Sequence, residues 1–133
     1  MARIILAEDD ELVGAIVVEL LSNAGHAVGW LRDGEQALQA MKFRPPQLAI
    51  LDQHMPIKSG AIVLREMRLA SQLAMVPVLM LTAVSGEGDK KILYYEGADD
   101  YVTKPFDPDD LLCRAEALID LKLRRTMARI SQT

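Results

Sequence analysis

Five side chains able to hold a divalent cation or move a phosphoryl group stand where short apolar runs stop. They are Glu8 and Asp9 after "RIILA", Asp52 after "LAIL", Thr82 after "VPVLML" and Lys104 after "DYVT". Carboxylates gathered within a few ångström repel one another unless something positive lies between them. Two histidines and one cysteine are too few for a zinc site, whereas hard carboxylate oxygens suit Mg²⁺ with retained waters. Three carboxylates, one Mg²⁺ and one lysine sum to about zero charge, a setting that a phosphoryl dianion can enter. No serine–histidine pair stands at a comparable strand end, so the candidate nucleophile is the carboxylate of Asp52, which would form an acyl phosphate. Transfer to it requires positioning and charge neutralisation, with Lys104 and the cation on the phosphoryl oxygens. Thr82 would donate its hydroxyl once the phosphoryl group is present.

Residues so far apart in sequence meet only if the elements carrying them share an edge. Strand-like runs cover 3–7, 26–31, 47–51, 76–81 and 100–104. Between them lie helical patterns: Leu12, Ile16, Val17, Leu20 and Leu21 up to a stop at Gly25; 33–43, closed by Pro45-Pro46; 61–70; and a weaker pattern across 85–98. A last helix starts with Asp107 as N-cap and Pro108 in its first position. The central strands are unbroken apolar runs, as a parallel sheet covered on both faces requires. The expected fold is α/β, a doubly wound (βα)5 three-layer sandwich with the flavodoxin-like parallel sheet order 2-1-3-4-5. In such a sheet the carboxyl ends of the strands form one rim, and ligands bind there near the reversal of strand order.

The 133 residues suffice for one core, and a composition of 50% hydrophobic and 26% charged residues suits a globular domain. The formal net charge of -4 argues against a nucleic-acid backbone as partner. No apolar run reaches about 18 residues, and acids follow "RIIL" almost at once, so a cytoplasmic protein with no membrane contact is expected. Cys113 is expected in the core of the last helix, and His26 on the surface at a strand start.

Glu8-Asp9, the stretch "DQHMPIKSG" from Asp52 to Gly60, Thr82-Ala83 and Lys104-Pro105-Phe106 together resemble the receiver domain of bacterial two-component response regulators. The likeness extends over residues 2 to about 122. It implies that Asp52 is phosphorylated by a sensor histidine kinase or histidine phosphotransfer protein. It also implies that Asp9 ligates Mg²⁺ directly, Glu8 through water, and Asp52 and the backbone carbonyl of His54 complete the protein ligands. The His54 imidazole would tune access and hydrolysis, and Tyr101 would turn inward when Thr82 is drawn to the phosphoryl group. Such a chain is a signalling switch that catalyses only its own phosphorylation and dephosphorylation.

"GADDYVTKPF" with Asp110 and Arg114 further resembles receivers joined to winged-helix DNA-binding domains, the OmpR/PhoB type. That likeness implies a homodimer favoured by phosphorylation, with salt bridges drawn from Lys90, Asp100, Asp110 and Arg114. Residues 1–122 are then the receiver. Residues 123–133 are either an extension of the last helix or a linker to an output domain absent from this chain, with Leu123, Met127 and Ile130 at helical spacing beside Arg124, Arg125 and Arg129. Direct nucleic-acid binding is not expected of this chain alone. Two other readings stay open. A Mg²⁺-dependent phosphatase with an aspartyl nucleophile wants an aspartate two residues beyond it, where His54 stands. A degenerate receiver acting as a constitutive protein-binding module is opposed by the intact acceptor, acids, threonine and lysine.

Overall fold

Five strands, Arg3–Ala7 (β1), Ala27–Leu31 (β2), Leu48–Asp52 (β3), Val78–Thr82 (β4) and Asp100–Thr103 (β5), pair in parallel in the order β2-β1-β3-β4-β5. The structure is a computed structural model that describes residues 1–83 and 97–131. Its helices are Glu11–Asn23 (α1), Gly34–Phe43 (α2), Gly60–Leu69 (α3) and Pro108–Ser131 (α4). The helix expected across 85–98 falls, but for its last two positions, outside the described residues, and Lys90 lies outside with it.

The apolar runs lack polar alternation because both faces of the sheet are covered. Successive side chains of a strand point to opposite faces. Ile5 and Ala7, Ala49 and Leu51, and Val78 and Met80 pack against Ala37, Leu38 and Met41 of α2 and Val63, Leu64 and Met67 of α3. Their neighbours Ile4 and Leu6, Leu48 and Ile50, and Leu79 and Leu81 pack against Val17 and Leu21 of α1 and Leu111, Ala115 and Leu118 of α4. Each fully buried Leu, Ile, Val or Met among them contributes about 1.5–3 kcal/mol.

Local signals set the helix limits. Asp10 caps α1 by accepting from the N–H groups of Leu12 and Val13, and Asp33 caps α2 through Gln36 N–H. Ser59 does the same for α3 through Ile62 N–H. Asp107 accepts from Asp109 N–H immediately before α4. Gly25, at φ 92, turns the chain after α1, a conformation that glycine adopts without steric cost.

Two sequence expectations are corrected. Cys113 is exposed, because the buried stripe of α4 runs through Leu111, Ala115 and Leu118 and residue 113 points about 200° away from residue 111. The His26 side chain is only 8% exposed. Its Nδ1 accepts the Ala2 N–H at 3.1 Å and its Nε2 lies 3.3 Å from Glu116, so the N-terminus and α4 close over it.

The last helix runs 24 residues without interruption. It is fastened near its end by Arg125, which donates to Asp99 Oδ1 at 2.7 Å. Asp99 also accepts from Val78 N–H at 2.9 Å and from Arg68 at 3.1 Å. Arg68 in turn ties down the carbonyls of Ala74, Val76 and Gly97. Among the described residues, no helix is long and apolar enough to cross a membrane.

Candidate functional site

The rim is built by strand ends in register. Ala7 stands opposite Leu51, Asp52 opposite Leu81, and Thr82 opposite Thr103. Glu8, Asp52, Thr82 and Lys104 therefore leave the sheet at one level. The ladder continues one step beyond, with Gln53 N–H on Leu81 O at 2.9 Å and Lys104 N–H on Thr82 O at 2.8 Å. The capping role of Asp10 sorts the three consecutive acids: Asp10 serves α1, and Glu8 and Asp9 are left for the rim.

Glu8, Asp9 and Asp52 each place a carboxylate oxygen within 4.8 Å of the other two. Lys104 Nζ reaches into the group, 2.8 Å from Glu8 Oε1 and 3.3 Å from Asp52 Oδ1. Glu8 is fully buried, Asp52 is 3% exposed and Asp9 is exposed, so the cluster opens to solvent on the Asp9 side. Burial pushes the Glu8 carboxyl up to about 7 against the downward pull of its hydrogen bond to Lys104, with the Asp52 charge adding to the rise. Burial alone would lower the Lys104 ammonium. The hydrogen bond to Glu8 and the charge of Asp52 outweigh it and hold the group above its ordinary value.

Glu8 Oε2 is buried without a hydrogen-bond partner among the described residues. An unsatisfied buried acceptor costs about 1–3 kcal/mol. A hydrated divalent cation beside it would supply the missing donor, and the donor set here is all hard oxygen, so these residues fit Mg²⁺.

Thr82 is fully buried at the end of β4, and Tyr101 is half-buried against the core on the α2 and α3 side. His54 presents an exposed ring, while its N–H points at Asp52 Oδ1 from 3.4 Å. Asp100, Asp110 and Arg114 lie away from the rim and pair within the chain. Arg114 donates to Asp100 at 2.9 Å and 3.0 Å and to Asp110 at 3.0 Å.

The loop after Asp52 is held by residues that the sequence did not single out. Gln53 Oε1 accepts from Ala61 N–H at 2.8 Å, and Lys58 bridges Glu35 and Glu66 at 2.7 Å each. The Asp-adjacent position of Gln53 was a usable signal; the Lys58 bridge spans three elements and had none. Gly60 begins α3 so close to the end of β3 that a Cβ there would lie 2.5 Å from the Asp52 carbonyl oxygen. Ile57 sits at φ 72 with its side chain exposed, and the Lys104–Pro105 peptide is cis.

Residues 4–116 match the response regulator receiver domain family. The chain belongs to that family. The receiver is 42% identical over 127 residues to the response regulator protein PmrA of Pseudomonas aeruginosa, an alignment covering 96% of this chain and 55% of that protein. To the alkaline phosphatase synthesis transcriptional regulatory protein PhoP of Bacillus subtilis it is 36% identical over 117 residues, 88% of this chain and 48% of that one. These relatives are of the winged-helix, OmpR/PhoB type, and the receiver spans about half their length.

Among solved structures, a response regulator from Chloroflexus aurantiacus superposes with TM-score 0.86 at 29% identity, over 90% of the receiver and 98% of that chain. The receiver domain of a sensor histidine kinase from Pseudomonas aeruginosa PAO1, which holds a magnesium ion in its active-site cleft, gives 0.83 at 27%, over 90% and 98%. The sheet order 2-1-3-4-5 and the helices on both faces are those of the flavodoxin-like receiver fold. Receivers of this family are signalling proteins that bind Mg²⁺ in an acidic pocket and act as phosphorylation-dependent switches of two-component systems.

Proposed function

We propose that Asp52 is the phosphoacceptor of this switch and that Glu8, Asp9, Thr82 and Lys104 are its working partners. The observation that supports this best is the placement of Lys104 Nζ between Glu8 and Asp52 in an acid cluster with an unpartnered buried oxygen. Asp52 attacks the phosphorus of a phosphohistidine in line, the N–P bond breaks and the imidazole leaves. Lys104 exchanges its contact with Asp52 for a phosphoryl oxygen, and the Thr82 hydroxyl donates to another. Asp9, Asp52 and the His54 carbonyl would hold Mg²⁺, with Glu8 acting through water; when bound, it neutralises charge on the phosphoryl oxygens. Movement of Thr82 toward the phosphoryl group vacates space beside β4, and Tyr101 turns into it. The His54 ring, exposed two residues beyond Asp52, tunes access of water. Catalysis extends only to the receiver's own phosphorylation and its reversal.

The donor is a histidine kinase or phosphotransfer protein. It must lay its imidazole beside Asp52, and the rim next to Lys104 is apolar: Leu12 is 71% exposed, and Val13, Ile16, Pro105, Phe106 and Pro108 line a shallow groove there. Phosphorylation favours a symmetric homodimer through Asp100, Asp110, Arg114 and Lys90. Arg114 must then trade its internal partners for those of a second copy, an exchange of exposed pairs worth about 0–1 kcal/mol each. Residues 1–122 form the receiver unit, and residues 123–131 extend its last helix as a lead toward an output domain.

Intact mass after incubation with acetyl phosphate and Mg²⁺ tests this reading. One phosphoryl adduct is expected, absent without Mg²⁺ and absent from Asp52→Ala. An adduct that persists in Asp52→Ala refutes the assignment. A wild type that takes no phosphoryl group, even from a phosphorylated histidine kinase, leaves the constitutive binding module in its place.

A further inference from the structure

The chain has one tryptophan, and it is bonded to the backbone of the acid cluster. Trp30 of β2 donates its indole N–H to the carbonyl oxygen of Glu8 at 2.8 Å. Two further links join the same stretches. Glu8 N–H donates to Leu31 O at 3.0 Å, and Arg32 pairs with Glu11 while stacking 3.9 Å above the Trp30 ring. The ring lies across α1 at Gly14, where a Cβ would come within 1.9 Å of Trp30 Cζ2, so only glycine leaves the indole this seat. Residues 30–32 thus clasp residues 8–11.

The Glu8 carbonyl and the Asp9 N–H belong to one rigid peptide plane. Fixing that oxygen fixes the direction in which the chain enters Asp9. Asp9 is exposed, and among the described residues no hydrogen bond holds its carboxylate, so what the fold fixes is the direction of its Cα–Cβ bond. We propose that Trp30 is a positioning residue of the acid cluster, its indole N–H orienting the Glu8–Asp9 peptide so that Asp9 meets the cation pre-aimed. The proposal rests on reading Glu8, Asp9 and Asp52 as a Mg²⁺ site.

Calorimetric Mg²⁺ titration of the wild type and of Trp30→Phe, beside the thermal unfolding midpoint of each without Mg²⁺, tests it. Phenylalanine removes the donor and also the benzo-ring atoms that rest on Gly14, and the unfolding midpoint reads that loss of packing separately. The dissociation constant is expected to rise about three- to tenfold, the size of one hydrogen bond. Phosphorylation by acetyl phosphate should fall at low Mg²⁺ and recover at saturating Mg²⁺. A midpoint that drops while the dissociation constant stays within about twofold means that Trp30 only packs, and overturns the proposal.

A second measurement needs no variant. The single indole ¹H–¹⁵N resonance of the wild type should move with Mg²⁺ along the calorimetric isotherm. A resonance that stays fixed at saturation overturns the role of Trp30 while leaving the metal site intact. A wild type that binds no Mg²⁺ overturns the site reading and this proposal with it.

Discussion

Replacing Glu8 by glutamine should remove a pH dependence that the burial of Glu8 builds into cation binding. In the metal-free protein Glu8 titrates at about 7, raised from the ordinary 4.5 chiefly by burial. A cation must displace the proton, so the apparent dissociation constant scales with one plus the ratio of protonated to ionised Glu8. That factor is about 11 at pH 6, about 2 at pH 7 and close to 1 at pH 8. Mg²⁺ titrations at these three pH values should show affinity rising about tenfold from pH 6 to pH 8. Glu8→Gln, with an amide of the same shape, should give weaker binding and a nearly flat profile.

Titrations in buffers of different ionisation enthalpy should release close to one proton per Mg²⁺ at pH 6 and almost none at pH 8. A wild-type affinity that is flat across the range would mean that Glu8 carries no proton for the cation to displace. The same shift fixes a stability trend. Because the folded value lies above the unfolded one, the contribution from Glu8 is fully present below pH 4.5 and is lost as pH rises through 7. Metal-free protein should therefore weaken from pH 5 to pH 7.5, and saturating Mg²⁺ should reverse the loss.

Asp99→Ala removes the acceptor of Val78 N–H and leaves Arg68 and Arg125 without their carboxylate; a loss of about 2–4 kcal/mol in urea unfolding is expected, and less than about 1 kcal/mol would contradict the hub role. Ile57→Gly relieves a β-branched residue at φ 72 and should raise stability by about 1 kcal/mol after the entropy cost of glycine, whereas a loss would show that the Ile57 side chain is held by something other than this loop. Sedimentation with beryllofluoride and Mg²⁺ should show dimer in the wild type and monomer in Arg114→Ala; an unchanged wild-type mass would sink the dimer proposal.

Strand ends were legible because burial on both faces keeps the middle of β1, β3 and β4 apolar, so the first polar residue after each apolar run marks the rim. Asp52, Thr82 and Lys104 could be placed on one edge from that rule and the parallel topology alone. The division of labour within Glu8-Asp9-Asp10 was less legible. All three acids suit a helix start, and only the cap geometry assigns Asp10 to α1. His26 and Cys113 went astray for one reason: each position is decided by what the last helix covers, and its phase and length are tertiary facts. The links from Trp30 to Glu8 and from Arg125 to Asp99 join residues 22 and 26 apart, and no local pattern announces them.

The clamp of Arg125 on Asp99 also sets a rule of angular phase for anything joined to this receiver. A helix of 24 residues is about 36 Å long and turns about 100° per residue. Its azimuth is locked to the sheet by an ion pair two positions before Tyr101. A segment that continues the helix past Ser131 therefore inherits a fixed heading. One residue added at the junction swings that segment by about 100°, and seven bring it back to within about 20°. Junctions between this receiver and a foreign module should work or fail with helical periodicity, and the length of the join should matter less than its remainder.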